Sequence, residues 1–97
     1  MFNPLIAHVM TARELKEYNE IKAQYPTTVL LFRVGDFYEA YFEDAKNLVK
    51  ATQITLAQQS DGTPMAGFPF HALDTYLPKL VRNGHRVAIC DALSNQK

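Results

Sequence analysis

Cys90 is the only cysteine in the 97 residues, which excludes an internal disulfide and fits a reducing cytosolic setting. No apolar run approaches the ~20 residues needed to span a bilayer, so no membrane partner is expected. The opening ten residues have no basic stretch ahead of an apolar one. Asn3, Pro4 and His8 interrupt them, so they do not read as a signal peptide. Excess charge is missing too: ten basic residues face ten acidic ones. Tight autonomous binding to a polyanion leans on Lys and Arg neutralising phosphates, and this balance argues against it. There is no internal repeat, no low-complexity stretch and no Gly-x-x-x-x-Gly-Lys-Ser/Thr phosphate loop. His8, His71 and His85 are scattered, and with one cysteine they do not make a zinc-ligand set. No cofactor and no metal are expected.

What is present is a core. Hydrophobic residues make up 47% of the chain, with five tyrosines and six phenylalanines among them. That is enough for one folded domain over residues 1–97, its body at about 11–91, and too little for two. Thr11-Ala12-Arg13-Glu14 has the form of a capping box, and Leu15, Tyr18, Ile21 and Tyr25 follow at helical spacing until Pro26 stops the run. Residues 27–34 are β-branched and aromatic and read as a central strand. Gly35-Asp36 suits a two-residue turn whose first position needs a positive φ, and residues 37–41 form the returning strand. Glu43 and Asp44 open a second helix at its positive end, with Ala45, Leu48 and Val49 as its apolar stripe. Residues 53–57 read as a third strand and 58–63 as a polar loop. The proline-bracketed run 64–70 suits an edge strand or packed loop better than a central strand. Leu73, Tyr76, Leu77, Leu80 and Val81 mark a third helix that starts late, near Asp74, or bends at Pro78. Asn83-Gly84 ends it, residues 86–90 form a last strand, and Ser94 to Lys97 form a polar tail. The order αββαββαβ predicts an α/β domain: a mixed sheet of about five strands packed with three helices.

The residues 35–39, Gly-Asp-Phe-Tyr-Glu, carry the most suggestive chemistry. Alternation along a strand puts Phe37 and Glu39 on one face and Tyr38 on the other. A rigid ring beside a carboxylate on an exposed edge can act on a DNA duplex: the ring enters a base step from the minor groove, and the acid accepts a hydrogen bond from a base. Unstacking costs a few kcal/mol per step and less where pairing is already poor, so a wedge discriminates by deformability. The plainer reading is that a hairpin phenylalanine packs inward. Asp36, Glu39, Glu43 and Asp44 could also hold a divalent ion, as in a nuclease, although Glu43 and Asp44 are more simply explained as helix-start residues. Catalytic residues are not expected.

The string Val34-Gly35-Asp36-Phe37-Tyr38-Glu39-Ala40-Tyr41 resembles the Gly-Asp-Phe-Tyr-Glu signature of the MutS family of mismatch-repair proteins. The likeness extends to Ile21 through Pro26, Leu30 through Arg33, and Asp44-Ala45. It continues in Pro64-Met65-Ala66-Gly67-Phe68-Pro69-Phe70-His71-Ala72, Tyr76-Leu77, Lys79-Leu80-Val81, Gly84 and Val87 through Cys90, covering roughly residues 11 to 91 in order.

The resemblance implies the family's N-terminal mismatch-recognition domain: a non-enzymatic module whose Phe37 stacks on a mispaired or unpaired base while Glu39 hydrogen-bonds it. It places Met65 near the same groove. The residues available as cationic support are Arg33, or Lys79, Arg82, His85 and Arg86 where the fold brings them near. The implied partners are double-stranded DNA with mismatches or small loops and other mismatch-repair proteins, in the cytoplasm. The family's ATPase, lever and clamp parts have no counterpart in these residues. Where the family often carries a Lys-Arg pair, this chain has Gln58-Gln59, which implies weaker DNA binding with a flatter salt dependence. The neutral charge and these glutamines suit an alternative: a protein-interaction or structural module that keeps the fold without DNA contact.

Overall fold

The computed structural model describes residues 10–90. The expectations for His8, the opening segment and the tail from Ser94 lie outside them. Three helices and five strands follow in the order α1 (Ala12–Gln24), β1 (Thr28–Val34), β2 (Phe37–Tyr41), α2 (Phe42–Thr52), β3 (Ala57–Gln58), β4 (Pro64–Pro69), α3 (Leu73–Arg82) and β5 (Arg86–Cys90). A single 3-10 turn, Phe70–Ala72, leads into α3. The sheet runs β3-β4-β2-β1-β5, with β1 and β5 parallel and the other neighbours antiparallel. It is the mixed five-stranded sheet with three helices that the element order predicts.

Helices cover both faces of the sheet. On one side Tyr18 and Ile21 of α1 pack over Leu30, Phe32, Tyr41 and Met65. On the other, Ala45 and Leu48 of α2 and Leu80 of α3 pack over Val29, Leu31, Ala40, Ala66 and Phe68. Strand alternation produces this division: Leu30 and Phe32 point to α1, while Val29 and Leu31 point to α2 and α3. The capping box is present at the start of α1. The Glu14 N–H donates to Thr11 Oγ1 at 3.0 Å, and the Thr11 N–H donates to Glu14 Oε1 at 2.9 Å. Thr11→Ala is expected to lower stability by about 1 kcal/mol, read from urea unfolding.

Two strands differ from expectation. Gln53 adopts φ 70° as the C-cap of α2, its N–H donating to the Val49 carbonyl, so the chain turns where a strand was expected to begin. Ile54 packs against the core, Leu56 is exposed, and only Ala57 and Gln58 pair, with Met65 and Pro64. The proline-bracketed run is a true strand, but β3 flanks only its first residues, Pro64 among them, so most of β4 keeps an open side. Pro78 lies inside α3 at an exposed position.

Between β2 and α2 there is no loop. Phe42 turns the corner with φ 57°, a left-handed conformation that costs a non-glycine residue about 1 kcal/mol or more. Packing offsets that cost: the Phe42 ring lies 5.5 Å from that of Tyr18. Behind this corner sits Asp44, buried, accepting from Lys22 Nζ at 2.9 Å, from the Leu30 N–H at 3.1 Å and from the Tyr18 hydroxyl at 3.4 Å. The β1–β2 pairing stops at Phe32↔Glu39, and Asp44 takes the Leu30 N–H where β2 has turned away. One carboxylate thereby ties α1, β1 and α2 together.

Candidate DNA-probing surface at the hairpin tip

The β1–β2 hairpin turns at Gly35 and Asp36. Gly35 holds φ 58° with nothing within 4 Å of where a Cβ would stand, so the glycine answers a backbone demand and not a crowded one. Gly35→Ala is accordingly expected to cost about 1 kcal/mol of stability without a clash, read from the shift in denaturation midpoint.

The first residue after the turn is Phe37, paired with Val34 on one side and Pro69 on the other. It is partly exposed and belongs to neither core cluster among the described residues. Its strand, however, is not at a sheet edge. β2 is the middle strand of five, so Phe37 stands at the end of a central strand, on the rim formed by the hairpin tip. The reason is β4, which pairs with β2 along its whole length.

Glu39 shares the face of Phe37, as alternation requires, but is only 2% exposed. Its Oε1 accepts a hydrogen bond from the Tyr41 hydroxyl at 2.7 Å. The expectation of a carboxylate standing beside the ring on an open margin is corrected: α1 covers this face from Tyr41 outward, and the acid is satisfied inside. Met65, expected near the same groove, has its side chain fully buried in the core against Tyr41 and Phe32.

The buried phenols are shifted. Burial first, and then the Glu39 carboxylate, push Tyr41 well above the ordinary tyrosine value, and burial followed by Asp44 does the same for Tyr18. In the native state both stay protonated past pH 10, where the unfolded chain ionises. The unfolded state then binds fewer protons, so stability is fully present below pH 10 and falls as pH rises above it. Unfolding free energy at pH 10.5 is expected to be roughly 1–2 kcal/mol below that at pH 8 from these two groups, with about half the loss removed by Tyr41→Phe.

The charges sort themselves by position. Asp36 is exposed at the tip, whereas Asp44 is paired with Lys22 at the far end of β2. Arg86 pairs across from Thr28, at the opposite end of β1 from Val34, some 20 Å from the tip at ~3.3 Å per residue. Helix α3 runs away from the tip and carries Arg82 with it, and His85 follows, so these cations do not gather around Phe37. Arg33 does lie at the tip. Its Nε–H donates to the Gly35 carbonyl and its guanidinium carbon sits 3.8 Å from the centroid of the Phe70 ring. Phe70 was not singled out by the sequence; an aromatic placed just beyond a strand-ending proline was the available signal. Gln59, at the place of the expected basic pair, is buried, with Oε1 accepting from the Met10 N–H at 3.4 Å. Among the described residues no three His, Cys, Asp or Glu side chains gather as metal ligands, and no helix is long and apolar enough to cross a membrane.

The family model described as MutS domain I matches residues 12–97. A DNA mismatch repair protein MutS from Cytophaga hutchinsonii is 56% identical over 87 residues, covering 86% of this chain. Its namesake from Phocaeicola vulgatus is 55% identical over the same length, and that of Thermotoga maritima 56% identical over 79 residues, 81% of the chain. The chain spans 10% of the length of each of these curated relatives. A hairpin carrying Phe37 at its tip, set in a mixed sheet and matched from the first helix onward, therefore belongs to the MutS domain I family.

Proposed function

We propose that this chain is a non-enzymatic DNA-probing module that detects mispaired or unpaired bases, with Phe37 as the wedge. The observation that carries the reading is the placement of one partly exposed aromatic, outside both core clusters among the described residues, on the rim directly after a tight turn. A ring so held can enter a base step from the minor groove, and it enters most cheaply where stacking is already weak. Glu39 is the partner for the displaced base. Being enclosed and bonded to Tyr41, it meets that base only when the face around it opens, so Phe37 makes the first contact. The neutral charge sets the affinity of the isolated chain on the order of 10⁻⁴ to 10⁻⁶ M, with tethering to other DNA-binding units raising the effective value.

Fluorescence anisotropy with matched, mismatched and looped duplexes at low salt tests the reading. Tighter binding of the mismatched and looped duplexes is expected. Equal binding of all three, or of none, sinks it. The burial of Glu39 together with the neutral charge favours a second reading, a protein-docking module with the same fold, and absence of any DNA binding is its expected result.

A further inference from the structure

The back of the hairpin tip is braced, and the brace bears on how Phe37 is presented. Phe37 leaves the sheet on the α1 face with Glu39 and Tyr41. Arg33 leaves it on the other face, on the rung it shares with Tyr38 and Phe68. From there the Arg33 Nε–H holds the Gly35 carbonyl, and the Phe70 N–H holds the Asp36 carbonyl at 2.8 Å. Both turn residues are thus held by their carbonyls, one from the strand before the turn and one from the residue after β4. The two holders are stacked on each other, guanidinium over ring at 3.8 Å. Phe70 is 36% exposed, so burial alone does not account for an aromatic here; the stack does.

We infer that Arg33 and Phe70 are positioning residues that lock the Gly35–Asp36 turn and so set the preference for disrupted over intact DNA. The inference rests on the probing role of Phe37. A wedge that must be ordered during binding loses affinity to that ordering, and a locked turn removes the loss only in the complex where the ring is inserted. Intact duplex, bound through charge alone, gains nothing from it. Arg33 therefore acts through Phe37 from the opposite face of the sheet, in place of the DNA-contacting role the sequence suggested.

Arg33→Gln, Arg33→Lys, Phe70→Leu and Phe70→Tyr separate this from a phosphate contact. The expected result is a fall of about fivefold in the mismatched-to-matched affinity ratio for Arg33→Gln, Arg33→Lys and Phe70→Leu alike, the size of one exposed stacking contact. Phe70→Tyr, which keeps the ring face, retains the ratio. Matched-duplex affinity and its salt dependence stay unchanged. If Arg33→Lys retains wild-type binding while Arg33→Gln flattens the salt slope by about one, Arg33 touches a phosphate and the inference is overturned. If wild type shows no preference among duplexes, the probing role fails first, and amide exchange still judges the brace. Faster exchange of the backbone N–H at position 70, which donates to the Asp36 carbonyl, in Arg33→Gln and Phe70→Leu supports the lock, and unchanged exchange overturns it.

Discussion

Replacing Phe37 with alanine is expected to lower the preference for mismatched over matched duplex at least about fivefold, because stacking on an aromatic supplies ~1–3 kcal/mol per base. Binding to intact duplex should change little, since it depends on charge that the substitution leaves alone. Stability should fall by less than the ~3–5 kcal/mol of a core phenylalanine, because Phe37 lies outside both clusters among the described residues. The contrast with Phe32→Ala, fully buried two rungs along the hairpin, makes the distinction measurable: that variant should lose stability first and selectivity only through unfolding. Anisotropy on the three duplexes with urea unfolding of the same samples gives both quantities. A Phe37→Ala chain that is folded and still prefers the mismatch removes the wedge from the account. Phe37→Trp, which keeps a flat ring, should retain the preference.

The second large effect lies at Asp44. Asp44→Ala removes the acceptor of a buried ion pair and at the same time leaves the Leu30 N–H without its carboxylate. Removing one partner of a buried pair costs ~3–5 kcal/mol; Lys22, with 23% of its side chain exposed, can swing toward water and keeps the loss near the lower figure. About 3 kcal/mol corresponds to a fall in Tm of roughly 12 °C or more for a domain of this size. Asp44→Asn, which preserves an acceptor oxygen but not the charge, should lose less. A thermal scan decides the matter. If Asp44→Ala melts within a few degrees of wild type, the three-way tie described for this residue contributes little, and the corner at Phe42 must be held by its ring contacts alone.

Much of this structure is legible in the residues because local signals agree with the fold. The capping box at Thr11 and Glu14 names the start of α1, Gly35 names the turn, and the Leu73 to Leu80 stripe names α3. The misplaced third strand shows where local signals end. Ile54-Thr55-Leu56 has the composition of a strand, yet β structure needs a neighbour, and the left-handed Gln53 steers the chain so that only Ala57 and Gln58 find one. The position of β2 was hidden for a similar reason. Its second partner, β4, lies across an intervening helix and loop, and no pattern within residues 37–41 announces it. Glu39 was misread as exposed because carboxylates ordinarily are, and nothing near Asp44 in the sequence announces that it is buried. Each is buried beside a donor that sequence distance conceals or disguises: Tyr41 two positions on along the same face, and Lys22 on a different helix. For Met65 the family likeness gives only a neighbourhood, whereas strand parity gives the face, and parity aligns its side chain with Tyr41 in the core.

The parallel pairing of β1 with β5 has a consequence for how the polypeptide acquires its shape. Thr28 must wait for Arg86, and Leu31 for Ile89, so the flank of β1 stays open until nearly all of the described chain has been synthesised. The β1–β2 hairpin, by contrast, closes across a two-residue turn and can form early. A ribosome delivering this protein therefore exposes a hydrophobic strand with one unsatisfied edge for dozens of residues, the interval in which pairing with a neighbouring nascent chain competes with completion of the sheet.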